Sequence, residues 1–69
     1  MDEIIFEVRD AEEGGYLARA LGYSIFTEGE TWEELREMVR DAVACHFEDA
    51  ACRPKIIRLH LVRDEVVAA

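Results

Sequence analysis

The stretch Thr27-Glu28-Gly29-Glu30-Thr31-Trp32-Glu33-Glu34-Leu35 is where the hydrophobic period of the chain changes. Before it, apolar residues recur at every second position. After it they recur at every third or fourth. Thr31 is followed three residues later by Glu34, the capping-box spacing, in which the threonine oxygen accepts from a backbone N–H of the first turn. Glu30, Glu33 and Glu34 put negative charge at the positive end of the helix dipole. The spacing predicts a helix from Trp32 to about Glu48. Trp32, Leu35, Met38, Val39, Ala42, Val43, Cys45, His46 and Phe47 share one broad side of it; Glu33, Glu37, Arg40, Asp41 and Glu48 take the other. That apolar arc is wider than one sheet requires. The excess reads as a second contact, most simply with another copy of the chain.

Working towards the N-terminus, Ile4, Phe6 and Val8 alternate with Ile5, Glu7 and Arg9, the signature of a half-buried strand over Glu3 to Asp10. Asp10-Ala11-Glu12-Glu13-Gly14-Gly15 breaks the pattern, and its paired glycines permit a hairpin turn. Tyr16 to Leu21 resumes as a second strand. Gly22 interrupts it, and Tyr23 to Thr27 reads as a short third strand, with Glu28-Gly29-Glu30 as the turn into the helix. Three strands with short links predict an antiparallel meander. On the far side of the helix, Asp49 to Arg53 reads as a loop and Pro54 stops any continuation. Lys55 to Arg63 alternates Ile57, Leu59 and Leu61 with Arg58, His60 and Val62, a fourth strand. The order β-β-β-α-β defines one α+β domain spanning residues 1–69, with the helix packed on one face of the sheet. Arg9, Arg19, Arg58 and His60 are expected on the opposite face, either solvated beside Glu7 or, since arginine is enriched at interfaces, as part of a subunit or partner contact.

The chain has 69 residues, 16 acidic against 8 basic, and a net charge of -8. Residues 1–34 hold ten acidic and two basic side chains; residues 35–69 hold six of each. A negative field disfavours direct nucleic-acid or anionic-membrane binding and suits a basic partner. A chain this short buries a thin core, so self-association into a homodimer or tetramer is the expected reinforcement. Met1-Asp2-Glu3 is acidic where a secretory signal is basic, and no long apolar run follows. The expectation is a cytoplasmic protein with free thiols at Cys45 and Cys52.

Chemistry finds little to stand on in this pattern. Two-metal nuclease chemistry needs converging carboxylates, and the best candidates, Glu7, Glu48 and Asp64, are spread across three elements. Cys45 and Cys52 are spaced too far apart for the usual zinc pairs. Adjacent Cys45 and His46 diverge by about 100° on a helix, so they do not form a nucleophile–base pair. Gly14-Gly15 precedes a strand where a phosphate loop would precede a helix. The reading is therefore no enzyme, no metal and no cofactor. Cys45 is expected as a small buried thiol and Cys52 as a loop thiol. His46 is expected packed near the helix C-terminus and bonded to a backbone carbonyl, with a pH-sensitive subunit contact as the alternative. Trp32, Met38, His46 and Phe47 on the helix, with Arg19, Arg58 and His60 on the sheet, are the candidate oligomer or partner interface.

Three features together resemble the HicB-like antitoxin family, a partial RNase H fold. Gly14-Gly15-Tyr16-Leu17-Ala18-Arg19 is similar to its second strand, and Thr27 to Leu35 to its T-x-G-x-T-x-x-E turn and helix start. The third is the element order. The resemblance runs from about Ile4 to Val62. It implies a binding protein that neutralises a small basic HicA-type RNA-cleaving toxin by covering its active site. Many members add a C-terminal DNA-binding domain; here Asp64 to Ala69 follow the last strand, and repressor activity is not expected from them. Arg19-Ala20-Leu21-Gly22-Tyr23-Ser24 also stands where many members carry leucine-proline-glycine. In both respects the chain is similar to short stand-alone members, which form dimers or tetramers. That leaves a second expectation: a homo-oligomer without a toxin, holding itself together or a small ligand between subunits.

Overall fold

The computed structural model describes residues 2–69. Five regular elements and one short turn follow each other: β1 (Glu3–Asp10), β2 (Tyr16–Ala20), β3 (Phe26–Gly29), α1 (Trp32–His46), a 3-10 turn (Ala50–Cys52) and β4 (Ile56–Val62). The sheet order is β3-β2-β1-β4. The first three strands are the antiparallel meander. β4 returns beside β1 and runs parallel to it, Ile4 opposite Ile57 and Phe6 opposite Leu59. A parallel neighbour needs a crossover, and α1 supplies it. The expected α+β architecture, β-β-β-α-β with one helix on one face, is the architecture found. Among the described residues no helix is long and apolar enough to cross a membrane.

Alternation decides which residues meet the helix. Ile4, Phe6 and Val8 of β1 and Ala18 and Ala20 of β2 point to one face and are buried there with Ile25, Leu35, Val39 and Val43. The two alanines present little bulk, so α1 lies close over β2 and β3. Thr31 caps the helix as the spacing predicts: its Oγ1 accepts from the Glu34 N–H at 3.1 Å. Because α1 sits over the β3 side, β4 lies beyond its cover. Ile57 and Leu59 are only partly buried, and Leu61 is 39% exposed.

Three boundaries differ by two residues or more from those the sequence predicts. The third strand begins at Phe26, not Tyr23, and runs through Gly29. Gly22 takes φ +85°, and the Ala20 N–H closes a loop onto the Ile25 carbonyl at 3.0 Å. Residues 21–24 are spent on that loop, and Tyr23 packs against the helix end. The helix stops at His46, two residues early. Arg53 donates from Nη2 and Nε to the Phe47 carbonyl at 3.1 and 3.3 Å, satisfying an oxygen just beyond the last turn. The loop after it contains a 3-10 turn, capped by the Asp49 carboxylate accepting from the Ala51 N–H at 2.9 Å.

Candidate protein-binding surface

Glycine decides the geometry at the acidic end. A Cβ on Gly29 would lie 2.5 Å from the Leu35 nitrogen and 2.7 Å from its Cα. The first turn of α1 therefore rests directly on the end of β3. Gly29 serves contact with the helix backbone, and not the turn the sequence suggests. Gly15, at φ +82°, does the same for the hairpin: its missing Cβ would lie 2.6 Å from the Gly29 carbonyl oxygen. These two approaches draw the β1–β2 hairpin, the end of β3 and the start of α1 together.

Their side chains form an open basin of about 770 Å³. Asp10, Glu12 and Glu13 come from the hairpin, Glu28 and Glu30 from the end of β3 and the turn after it, and Glu34 from the helix. Tyr16 and Leu17 supply apolar wall. Tyr16 is held edge-on against Trp32, ring centroids 5.2 Å apart. Of the six carboxylates, Asp10 is held by a cation: Arg63 donates to it at 2.7 and 3.0 Å. That hydrogen bond holds the Asp10 carboxyl below its ordinary pKa, outweighing the opposing desolvation.

A second concavity of about 350 Å³ lies between α1 and β4 and has the opposite character. Arg36, Arg40 and Lys55 rim it, and Val39, Ile57, Leu59 and Pro54 form its floor. Together these three cations are over a third of the eight in the chain. The sheet face away from the helix carries Arg9, Arg19, Arg58 and His60, as the alternation predicts. Arg9 donates to Glu7 at 2.9 Å, and Arg58 to Glu3 at 2.7 and 3.3 Å. The Arg58 hydrogen bond holds the Glu3 carboxyl below its ordinary pKa.

The candidate interface residues fall in four places. Trp32 packs on Tyr16 beside the basin. His46 and Phe47 meet Tyr23 edge-on at 5.9 and 5.4 Å, at the other end of the helix. Met38 stands alone on the outer helix surface, 41% exposed. Arg19, Arg58 and His60 lie across the sheet, with Arg19 and His60 on either side of Glu7. Two local expectations are corrected. Cys45 is exposed, because the arc that α1 buries is only as wide as Leu35, Val39 and Val43 require. His46 is exposed too, held by ring contacts with Tyr23 and Phe47 and not packed in the core. Among the described residues no three His, Cys, Asp or Glu side chains gather closely enough to hold a metal ion. Glu7 and Asp64 both approach Arg9, at 2.9 and 4.0 Å, while Glu48 lies beyond the end of α1.

Two relatives fix the family. A UPF0150 protein of Thermotoga maritima is 48% identical over 66 residues, covering 96% of this chain and 91% of its own length. A UPF0150 protein of Archaeoglobus fulgidus is 55% identical over 56 residues, 81% of this chain and 82% of its own. The chain belongs to the UPF0150 family. No protein-family model matches it. No solved structure matches it. The names of the two UPF0150 relatives state no activity, so the surfaces themselves must carry the functional reading. Sequence reasoning located the charge imbalance behind the acidic basin but not the basic-rimmed groove. Arg36 and Arg40 recur four apart on the helix and Lys55 opens β4, yet only the crossover brings the three together.

Proposed function

We propose that this UPF0150 chain is a small acidic protein-binding module of the HicB antitoxin kind, which covers a small basic RNA-cleaving protein by occlusion. The observation that supports it best is the basin: six carboxylates from three elements around an aromatic wall, on a chain of net charge -8. Such a surface attracts a basic enzyme and steers its approach. In this reading the chain contributes no chemistry of its own. It acts in the cytoplasm, where Cys45 and Cys52 stay reduced. The test is to mix the purified chain with a HicA-type protein of the same genome and follow RNA cleavage. A stoichiometric complex with cleavage suppressed is the expected result. Unimpaired cleavage at an excess of the chain, with no complex on a sizing column, overturns the reading.

A second reading keeps the binding role but removes the toxin: a stand-alone homo-oligomer with a small ligand held between subunits. The exposed edge of β4 favours the oligomeric part of it. Recovery of the chain as a defined oligomer that ignores basic proteins is the result that selects this reading.

A further inference from the structure

β4 has β1 on one side and no described strand on the other. The Ile56 N–H donates to the Asp2 carbonyl at 2.9 Å, so that residue directs its backbone groups towards β1. The two polar groups of one strand residue point the same way, and direction alternates along the strand. Arg58, His60 and Val62 therefore also face β1. Ile57, Leu59 and Leu61 send their N–H and C=O groups outward, with no strand to receive them. An edge like this is a template for another strand, and proteins usually cover it. The other edge, β3, has only four residues and ends under the helix.

We propose that the outer edge of β4 pairs antiparallel with β4 of a second copy of the chain, about a two-fold axis at Leu59. In that register Leu59 meets Leu59 of the second copy, and Ile57 meets Leu61. These are the residues whose backbone groups point outward, so every pair exchanges two hydrogen bonds. Their side chains lie on the helix side of the sheet, where they now stand half-covered, and the pairing joins them into one apolar row across the axis. On the other face Ile56, 53% exposed, meets Val62. Arg58 falls opposite His60, with its charge already matched by Glu3. The two-fold operation uses each edge once and closes the assembly.

The tail explains what holds the pair beyond one strand. Residues 63–69 leave the sheet without regular structure, Val66 98% and Val67 72% exposed. The long axis of the molecule is 51 Å, against about 27 Å for an eight-residue strand, so the tail projects well past the domain. Antiparallel pairing carries it beyond Val62 and past Lys55 and Pro54 of the second copy, the wall of the basic-rimmed groove. Glu65 meets Arg36, Arg40 and Lys55, and Val66 and Val67 meet the apolar floor, while Asp64 stays beside Arg9 on the opposite face. A strand pair alone falls short of the roughly 800 Å² per partner of a stable interface, and the tail adds to it. Nothing here rests on the antitoxin reading. The axis lies on the far side of β1 from β2 and β3, so both acidic basins stay open.

The test joins a mass measurement to amide exchange, both on the full chain alone. Light scattering at roughly 100 µM, a concentration suited to a micromolar dimer, is expected to give twice the 7.9 kDa of one chain. The Ile57, Leu59 and Leu61 amides are expected to exchange as slowly as those of Arg58 and His60. Leu61→Lys, and independently Ile56→Asp on the opposite face, are expected to return the single-chain mass. Whichever variant keeps the folded circular dichroism spectrum should also speed those three amides at least tenfold. A single-chain mass for the unaltered protein overturns the proposal. So does a dimer whose Ile57, Leu59 and Leu61 amides exchange freely, since it uses another surface.

Discussion

Gly29 and Thr31 stand two positions apart in the stretch that decides the fold, and they work by unlike physics. Thr31 contributes one hydrogen bond to an otherwise unpaired helix N–H. Thr31→Ala should cost about 1 kcal/mol, read as a lower urea midpoint with unchanged slope, and should leave partner binding intact. Gly29 contributes the absence of a side chain. In Gly29→Ala the new methyl meets backbone atoms of Leu35 at 2.5 and 2.7 Å, and backbone cannot step aside as a flexible side chain can. The helix start must lift from β3, at a cost of about 1–3 kcal/mol or more. It should also widen the acidic basin, which Thr31→Ala should not. Denaturation of the two variants side by side checks the order; an alanine at Gly29 milder than one at Thr31 would contradict this contact. The sequence shows that a glycine and a cap occur here. It does not show which part of the chain comes down on the glycine, because that contact joins two elements.

At the level of elements, local signals located what local forces determine. Alternation gave β1 and β4 to within a residue at each end, and the capping box gave the start of α1 to the residue. Misplacement came where tertiary contacts outweigh propensity. Tyr23 has a strand former's side chain, yet the Ala20–Ile25 closure spends it on a loop. Helical periodicity runs on past His46, yet Arg53 takes the Phe47 carbonyl and ends it. The parallel docking of β4 on β1 carries a prediction of its own. Two fork-like pairs, Arg58 with Glu3 and Arg63 with Asp10, tie the strands or their flanks together. Both carboxyls are held below their ordinary pKa by those hydrogen bonds. A folded-state pKa lower than the unfolded one adds stability above the unfolded value and loses it as pH falls through the folded one. Stability should therefore decline as pH drops below about 4. The decline should be shallower in the Arg58→Gln, Arg63→Gln double variant. These groups are solvent-exposed, so the effect is modest and salt should shrink it. Urea midpoints from pH 6 down to about pH 3, at low and high salt, measure it; parallel acid limbs for the two proteins would remove these pairs from the account.

Across the whole molecule, charge is sorted by position. The acidic excess of residues 1–34 is visible in the sequence, and the fold concentrates part of it by bringing the hairpin, β3 and the start of α1 to one end. Of the basic residues of 35–69, Arg36, Arg40 and Lys55 rim the groove, Arg58 pairs with Glu3 on the sheet face, and Arg63 pairs with Asp10 at the edge of the basin. A basic partner therefore meets a one-sided field, and the prediction concerns where on the surface the charge is removed. Glu13→Lys with Glu30→Lys changes the basin by four units. Glu37→Lys with Asp41→Lys makes the same net change on the outward side of α1. If total charge alone drew the partner, the two double variants would weaken binding equally. If the basin docks it, the first should lose at least tenfold in affinity for a HicA-type protein, and much of its salt dependence. The second should lose only the part of the association rate owed to long-range steering. Binding kinetics at two ionic strengths separate the cases. Equal losses would deny the basin its role, whereas a loss confined to the basin variant would establish it as the docking surface even if the β4 edge proved to be free.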